Sequence, residues 1–352
     1  MIKVLIVEDS RVAQEFLAHV LNSDPAIQVV GLVSDGNEAL QAVREKRPDV
    51  VTMDIHMPKM DGFQATRLIM ENVPTPIIIV SASSGVKDVA STFQAMEAGA
   101  LAVVLRPPGF GHPEHQAAVE ELLRTVKLMS EIKVVRRFSH AEQVRPPVLS
   151  RLPSLPAAGE IQLVAIGTST GGPPVLHRIL SQLPPDLPLP VLIVQHIACG
   201  FTEGFVDWLA SASGFPVHVA THGQRPLPGH AYVAPENYHL GIAAGLRIVL
   251  SNLPPENGLR PSVAYLFHTV AQVLGSHAVG VLLTGMGRDG ARELKEMRDR
   301  GALTIAQDEA SSIVHGMPGE AIKLEAAMFV LAPEAIATML KSLVGKTNGE
   351  PG

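Results

Sequence analysis

Residues 2–36 decide the fold of the first part of this 352-residue chain, and they read IKVLIVEDSRVAQEFLAHVLNSDPAIQVVGLVSDG. Apolar, β-branched runs at 3–7 and 27–33 flank a helix-like stretch at 11–22. A strand–helix–strand unit of this kind predicts two parallel strands joined by a helical crossover. The pattern repeats through further strands at 50–53, 77–80 and 102–105, and through helices at 36–46, 62–71, 86–98 and 113–130. We therefore predict a five-stranded parallel α/β domain over residues 1–128.

A second α/β series follows after a change in composition. Residues 129–158 lose periodicity and collect proline and basic residues, as interdomain linkers do. The next strands are predicted at 161–167, 189–194, 217–219, 230–234, 246–250, 278–283 and 302–306. They predict a doubly wound α/β domain over residues 159–346. Because the intervals around Gly229 and Gly245 are too short for helical crossovers, we expect part of its sheet to be antiparallel. Residues 347–352 are predicted to be a frayed tail.

Composition restricts the classes of partner and compartment. The formal charge of −6 gives no broad basic face for nucleic acid. Cys199 is the single cysteine, so no intrachain disulfide forms. No apolar run approaches the roughly 18–20 residues that span a bilayer, and the chain starts without a secretory pattern. We expect a cytoplasmic protein that neither binds nucleic acid nor inserts into a membrane.

Acidic residues end two strands of the first domain. Glu8 and Asp9 follow the first strand and Asp54 follows the third. In an open parallel sheet, ligands bind at this edge, so the three carboxylates are expected to converge. Carboxylates with phosphate oxygens suit Mg²⁺, which would neutralise charge while Asp54 attacks a phosphoryl donor. Ser81 and Arg106, at the ends of the fourth and fifth strands, would supply a hydroxyl and a cation.

Three polar residues end strands of the second domain. Residues 163–174, LVAIGTSTGGPP, predict a buried strand, a small-residue turn that exposes Ser169, and a helix start with proline in its first turn. A serine nucleophile needs a base, and the base needs an orienting acid. His196 directly follows the next buried strand, and Asp289 follows a later one. A phosphate-cradling loop or a plain tight turn remains the alternative for the serine.

The glycine pattern at 285–290 supports a competing hypothesis. Gly285, Gly287 and Gly290 satisfy the dinucleotide fingerprint between a strand and a helix, and Asp308 ends the following strand where a ribose-binding acid would lie. The alternatives are therefore a nucleotide-dependent oxidoreductase or a non-catalytic binding module linked to the first domain. Against the oxidoreductase, the fingerprint lies late in the domain and leaves Ser169 without a role. We interpret Cys199 as a small buried packing residue, not a nucleophile.

The first domain resembles the response-regulator receiver family. The resemblance rests on Val7-Glu8-Asp9-Ser10, on 53–58 (MDIHMP) and on Asp61-Gly62. It implies a flavodoxin-like fold, phosphorylation of Asp54 by a sensor histidine kinase, and Mg²⁺ at Glu8, Asp9 and Asp54. The chain departs from the family at Arg106, where lysine is usual, and at Val103, where an aromatic switch residue is usual.

The second domain resembles the chemotaxis protein-glutamate methylesterase family, known as CheB. The segments at 163–174, 191–196, 281–290, 307–309 and 316–318 carry this resemblance, and a preceding receiver matches the family architecture. It implies hydrolysis of glutamate methyl esters on chemoreceptor cytoplasmic domains, and glutamine deamidation, without an esterase cofactor. Ser169 would be the nucleophile, His196 the general base and acid, and Asp289 the orienting carboxylate. Thr170 and Met286 would flank the site, with the Met286 amide as an oxyanion donor. The resemblance further implies steric inhibition by the receiver until it is phosphorylated.

Overall fold

The structure is a computed structural model that describes residues 1–82, 86–132, 134 and 161–343. The chain forms two compact units, which divide between His140 and Ala141. Most of the predicted linker at 129–158 lies outside the described residues, and the predicted frayed tail at 347–352 lies wholly outside them. The bounds given above for domains and linker therefore stay predictions.

Five strands alternate with five helices in the first unit. In chain order these are β1 (Ile2–Val7), α1 (Arg11–Asn22), β2 (Ile27–Val33), α2 (Gly36–Lys46), β3 (Val50–Met53), α3 (Gly62–Asn72), β4 (Ile77–Ser81), α4 (Val86–Glu97), β5 (Ala102–Leu105) and α5 (His115–Ser130).

The strands of the first unit form one sheet in the order β2-β1-β3-β4-β5, and every pairing is parallel. This is the flavodoxin-like order, as predicted. Strands β3 and β4 are buried along their whole length, as apolar strands covered by helices on both faces are. The strand order reverses between β1 and β3, so the carboxyl ends of these two strands flank the crevice where such sheets bind ligands.

The loop after β3 is held by a close backbone approach. Gly62 begins α3, and its amide donates to the Ile55 carbonyl at 2.9 Å. A Cβ at Gly62 would lie 2.0 Å from the carbonyl oxygen of Asp54. Only glycine therefore fits there, and this packing fixes the backbone at the end of β3.

The second unit contains nine strands and six α-helices among its described residues. They are β6 (Leu163–Thr168), α6 (Gly172–Leu180), β7 (Val191–Gln195), α7 (Thr202–Ser213), β8 (Val217–Val219), β9 (Ala231–Val233), β10 (His239–Ala243), β11 (Arg247–Ser251), α8 (Val263–Leu274), β12 (Ala278–Leu282), α9 (Ala291–Asp299), β13 (Leu303–Gln307), α10 (Met317–Lys323), β14 (Phe329–Leu331) and α11 (Pro333–Ser342), with a 3₁₀ turn at Gly275–His277.

Seven of these strands form a parallel sheet in the order β14-β13-β12-β6-β7-β9-β8. β6 lies at its centre, between β12 and β7. The chain therefore winds from β6 in both directions, which confirms the doubly wound prediction and makes the carboxyl end of β6 a topological switch point. The four strands β6, β7, β12 and β13 are fully buried.

The antiparallel prediction is correct at Gly245 and wrong at Gly229. β10 and β11 pair antiparallel, but as a separate two-stranded sheet and not within the main one. β9 pairs parallel with both β7 and β8, because the connection 220–230 returns the chain to the same end of the sheet without a helix. β10 and β14 were not predicted as strands.

The helices of both units are short. α5, the longest among the described residues, has 16 residues. Within the described ranges, no helix combines the length and apolar character needed to cross a membrane.

Candidate active site

The three predicted carboxylates of the first unit converge. Oxygen atoms of Glu8, Asp9 and Asp54 all lie within 4.8 Å of one another. Asp54 Oδ1 accepts a hydrogen bond from the Ile55 amide at 2.7 Å, which orients the side chain at the end of β3. Hard oxygen ligands in this arrangement fit a divalent cation such as Mg²⁺.

Burial makes the charge of this pocket costly. Desolvation raises the pKa of Glu8, and the neighbouring carboxylate of Asp54 raises it further. Desolvation also raises the pKa of Asp54. Both carboxylates are therefore less stable as anions than they would be in water, and a bound cation would offset that penalty.

Arg106 contacts Glu8 instead of standing free in the pocket. Its Nη1 lies 3.3 Å from Glu8 Oε2, with the arginine side chain 29% exposed and the glutamate 3%. The Arg106 amide donates to the carbonyl of Ser81, which is buried at the end of β4. The structure thus brings Arg106 to the acidic pocket, where it neutralises part of the charge of Glu8.

We expect Mg²⁺ to stabilise this unit against heat, and more strongly at pH 7.5 than at pH 5. A carboxyl whose pKa is raised on folding contributes stability at low pH, which is lost as the pH rises through the folded pKa. Mg²⁺ binds the ionised form, so its effect grows over the same range. At ten times its dissociation constant the gain is about 1.4 kcal/mol, or a few degrees in the melting temperature.

The measurement is differential scanning calorimetry with and without MgCl₂. Asp9→Asn removes one ligand and should cancel most of the shift. Asp49→Asn is the matched control, because Asp49 directly precedes β3 and lies at the opposite end of that strand from Asp54. Its carboxylate accepts a hydrogen bond from the Lys3 amide at 2.8 Å. Equal Mg²⁺ shifts in the two variants would contradict the site.

Ser169 lies in the turn between β6 and α6. Its amide donates to the Thr284 carbonyl at 3.0 Å, and its carbonyl accepts from Gly172 at 2.9 Å. Gly171 has a φ of 76°, which places the chain in the left-handed region just before α6 and favours glycine. The Ser169 side chain is partly exposed, and its hydroxyl makes no hydrogen bond to another described residue. Ser169 is thus held by its backbone while its hydroxyl stays available.

His196 and Asp289 follow β7 and β12, the two strands that flank β6. His196 directly follows β7, and its amide donates to the Thr168 carbonyl at 3.0 Å. His196 Nε2 is 3.0 Å from Asp289 Oδ2, close enough for an ion pair, although the two are not aligned as a hydrogen bond. The structure therefore brings the predicted base and acid together, and Nε2 is the ring nitrogen that faces the acid.

The N-terminus of α8 holds the Asp289 carboxylate. The Val263 amide donates to Oδ2 at 2.7 Å and the Ala264 amide to Oδ1 at 3.2 Å. These are two of the amides that a helix start leaves without an intrahelical partner, and the helix dipole favours a negative charge there. Ser262 caps the same helix, its hydroxyl accepting from the Tyr265 amide. Two backbone amides thus orient the buried acid, whose Oδ2 also faces His196 Nε2.

The loop after β12 packs directly on the serine turn. A Cβ at Gly285 would lie 2.8 Å from Ser169 Cβ and 2.4 Å from Met317 Sδ. Thr170 accepts a hydrogen bond at its carbonyl from Thr284 Oγ1 at 3.0 Å. The Met286 amide makes no hydrogen bond within the described part of the chain. Thr170 therefore follows Ser169 in a turn that Thr284 holds, Met286 follows the glycine that packs on Ser169, and the Met286 amide is available as a donor.

The same glycines explain why the oxidoreductase alternative is not favoured. Gly285 makes room for Ser169, and Gly290 makes room for Val263, whose Cγ1 would lie 2.3 Å from an added Cβ. Asp308, the proposed ribose ligand, accepts instead from the Ser311 amide at 2.9 Å. The glycine fingerprint thus reflects packing around Ser169 and Asp289.

Sequence reasoning missed two residues that organise the site and misjudged a third. Thr284 and Gln195 are buried at the ends of β12 and β7, and both bond to the serine turn. The available signal was a polar residue ending an otherwise apolar strand. The predicted burial of Cys199 is wrong, because this residue is exposed and donates from its thiol to Glu236 Oε2 at 3.0 Å.

Comparisons with known proteins identify the family of each unit. The family model for the CheB methylesterase matches residues 164–340, and the response regulator receiver domain matches residues 4–134. Two relatives are named protein-glutamate methylesterase/protein-glutamine glutaminase. One, from Nitrosospira multiformis, is 54% identical over 98% of both chains. The other, from Syntrophus aciditrophicus, is 54% identical over 98% of this chain and 99% of its own.

A solved structure supports the second unit in particular. The CheB methylesterase catalytic domain of Thermotoga maritima aligns over 52% of this chain and 99% of its own, with 35% identity and a TM-score of 0.51. The sequence matches cover nearly the whole chain, and the structural match covers the unit that carries Ser169. This chain therefore belongs to the CheB methylesterase family and carries a response-regulator receiver domain ahead of the catalytic domain.

Proposed function

We propose that this protein removes methyl groups from glutamate methyl esters on the cytoplasmic domains of chemoreceptors, and deamidates glutamine side chains at the same site. One observation carries the proposal: Ser169, His196 and Asp289 follow three adjacent strands, with His196 3.0 Å from a carboxylate that a helix N-terminus holds in place. The relatives' names agree with both activities.

In the proposed reaction, Ser169 Oγ attacks the ester carbonyl. His196 Nδ1 accepts the hydroxyl proton, since Nε2 faces Asp289, and the imidazolium is stabilised by that carboxylate. The oxyanion of the tetrahedral intermediate accepts from the Met286 amide, with Thr170 beside it. His196 returns the proton to the leaving methanol. Water, deprotonated by His196, then hydrolyses the acyl-enzyme and leaves a glutamate carboxylate.

The receiver would regulate this chemistry through Asp54. A sensor histidine kinase is the proposed phosphoryl donor. Glu8, Asp9 and Asp54 would hold Mg²⁺, which when bound neutralises the charge of the incoming phosphoryl group. Arg106 would then exchange part of its contact with Glu8 for the phosphoryl oxygens, and Ser81 is proposed to contact them too.

The proposed domain bounds and cellular location are those predicted from the sequence. We propose a receiver at 1–128, a linker at 129–158 and a catalytic domain at 159–346, in a cytoplasmic protein. The esterase is proposed to need no cofactor, because serine, histidine and aspartate supply nucleophile, base and orienting acid.

Ser169→Ala tests the assignment. It removes the nucleophile, and we expect methanol release from methylated receptor membranes to fall by about 10³-fold or more. The readout is methanol set free from radiolabelled receptors. Ser181→Ala is the matched control, since Ser181 lies at the other end of α6 and its exposed hydroxyl donates to the His177 carbonyl at 2.7 Å; we expect it to keep the parent rate. Unchanged release by Ser169→Ala would overturn the proposed role of this serine.

A further inference from the structure

Gln195 occupies the position between the proposed nucleophile and the proposed base. It is the last residue of β7, pairs in register with Thr168 at the end of β6, and is 4% exposed. The residue that follows each member of this pair is Ser169 on one strand and His196 on the other. Gln195 thus lies beside the point where the chain leaves β6 for Ser169 and β7 for His196.

One amide nitrogen of this side chain bonds both residues. Gln195 Nε2 donates to the Ser169 carbonyl at 2.9 Å and to the His196 carbonyl at 2.8 Å. A primary amide has two N–H groups, so each is used once. The two bonds connect the turn that carries Ser169 to the end of β7, which His196 follows.

The amide oxygen of Gln195 bonds to neither of these residues. Gln195 Oε1 is buried and has no hydrogen-bond partner among the described residues. It packs against α6, where a Cβ on Gly172 would lie 2.3 Å from it. A buried acceptor without a partner costs free energy, and an apolar side chain of equal length would avoid that cost. The favourable polar contacts of this side chain are therefore those of its nitrogen, and both go to residues of the proposed site.

We propose that Gln195 is a positioning residue for ester hydrolysis, which sets the separation of Ser169 and His196 by holding their carbonyls with one amide. The inference rests on the proposed function. Proton transfer between hydroxyl and imidazole depends steeply on their separation, and a misplacement of 1 Å can cost about 10²-fold in rate. Substrate binding does not depend on this separation in the same way.

Gln195→Met is the main test, because methionine keeps the length of the side chain and lacks the donors. We expect kcat for methanol release to fall about 10–100-fold with KM changed less than about threefold. The Ser169 carbonyl keeps its bond from Gly172, so the turn itself stays formed. Gln195→Glu should lower kcat further, since a carboxylate faces two carbonyl oxygens and donates to neither.

Thr304→Val is the control for a purely structural effect. Thr304 is buried near the start of β13, far along the sheet from the serine turn, and its hydroxyl donates to the Ala326 carbonyl at 2.7 Å. Val removes this bond and the one that the same hydroxyl accepts from the Met328 amide at 3.1 Å, without touching Ser169 or His196. We expect it to lower the thermal midpoint while kcat stays within about twofold of the parent.

The outcomes separate the two levels of the proposal. If Gln195→Met keeps kcat within twofold, or if Thr304→Val loses as much kcat as Gln195→Met, the positioning role is wrong. If Ser169→Ala, assayed in parallel, retains the parent rate, the proposed function itself fails and not this inference alone. Rates are measured well below the thermal midpoint of each variant, so that unfolding does not enter kcat.

Discussion

Asp289→Asn is expected to lower kcat for methanol release by about 10³–10⁴-fold, a loss of roughly the size that removing the orienting acid causes in other serine hydrolases. Asparagine has nearly the same shape, but it carries no charge to stabilise the protonated imidazole of His196. Its nitrogen would also face one of the two α8 amides as a donor, so one bond from Val263 or Ala264 is lost. The substitution therefore removes both the negative charge beside His196 and one of the two hydrogen bonds that orient the side chain.

Steady-state methanol release from methylated receptor membranes measures the loss, and the thermal midpoint checks that the variant is folded. Asp308→Asn is the matched control. Asp308 also follows a buried strand of the same sheet, yet its Oδ1 accepts from Ser311 and not from a helix start. We expect the control to keep kcat within about threefold. A variant at Asp289 that is no slower than the one at Asp308 would remove Asp289 from the mechanism.

The receiver fold could be predicted almost element by element from the sequence. Apolar strands covered on both faces read as continuous β-branched runs, and helices between them show the 3.6-residue period. β3 at Val50–Met53 and α1 at Arg11–Asn22 begin and end at the predicted residues. α5 begins at His115, not at 113, because the preceding residues form a turn that ends before the helix.

The errors in the second unit come from short elements whose pairing is set by distant residues. β14, at Phe329–Leu331, is a three-residue edge strand and has no periodicity to detect. The direction of β9 depends on its two parallel neighbours, and turn-like residues around Gly229 carry no information about them. Local sequence determines whether a segment is extended, but the rest of the sheet determines its direction.

The site shows the same limit at the level of side chains. Ser169 and His196 could be predicted because each directly follows a strand, and Asp289 because it lies in the loop after a third strand; parallel strands end at one edge. The two amides of α8 that hold Asp289 could not, since 25 residues or more separate them from the acid. Cys199 was misjudged for the same reason, because its partner Glu236 lies 37 residues away.

Asp54→Asn is expected to abolish stimulation of methanol release by a small phosphoryl donor such as acetyl phosphate. Coupling energies between sites are typically 1–3 kcal/mol, so we expect the parent enzyme to accelerate about 5–150-fold on phosphorylation and the variant not at all. The reason lies in the pocket's charge: a phosphoryl group on Asp54 adds anionic oxygens beside Glu8, which already holds Arg106. Arg106 can shift from Glu8 toward phosphoryl oxygens only if Asp54 is present to carry them.

Two comparisons make this prediction specific. Asp49→Asn, at the other end of β3, should respond to acetyl phosphate and Mg²⁺ as the parent does. A chain lacking residues 1–140 should be insensitive to the donor, because Asp54 is absent. If the receiver inhibits the catalytic domain, as the family resemblance implies, this chain should also be faster than the unphosphorylated parent. If the truncated chain were no faster, phosphorylation would have to activate the enzyme directly instead of relieving inhibition. If the truncated chain is faster, the ratio of its rate to the rate of the fully phosphorylated parent measures how much of the restraint is relieved by phosphorylation of Asp54.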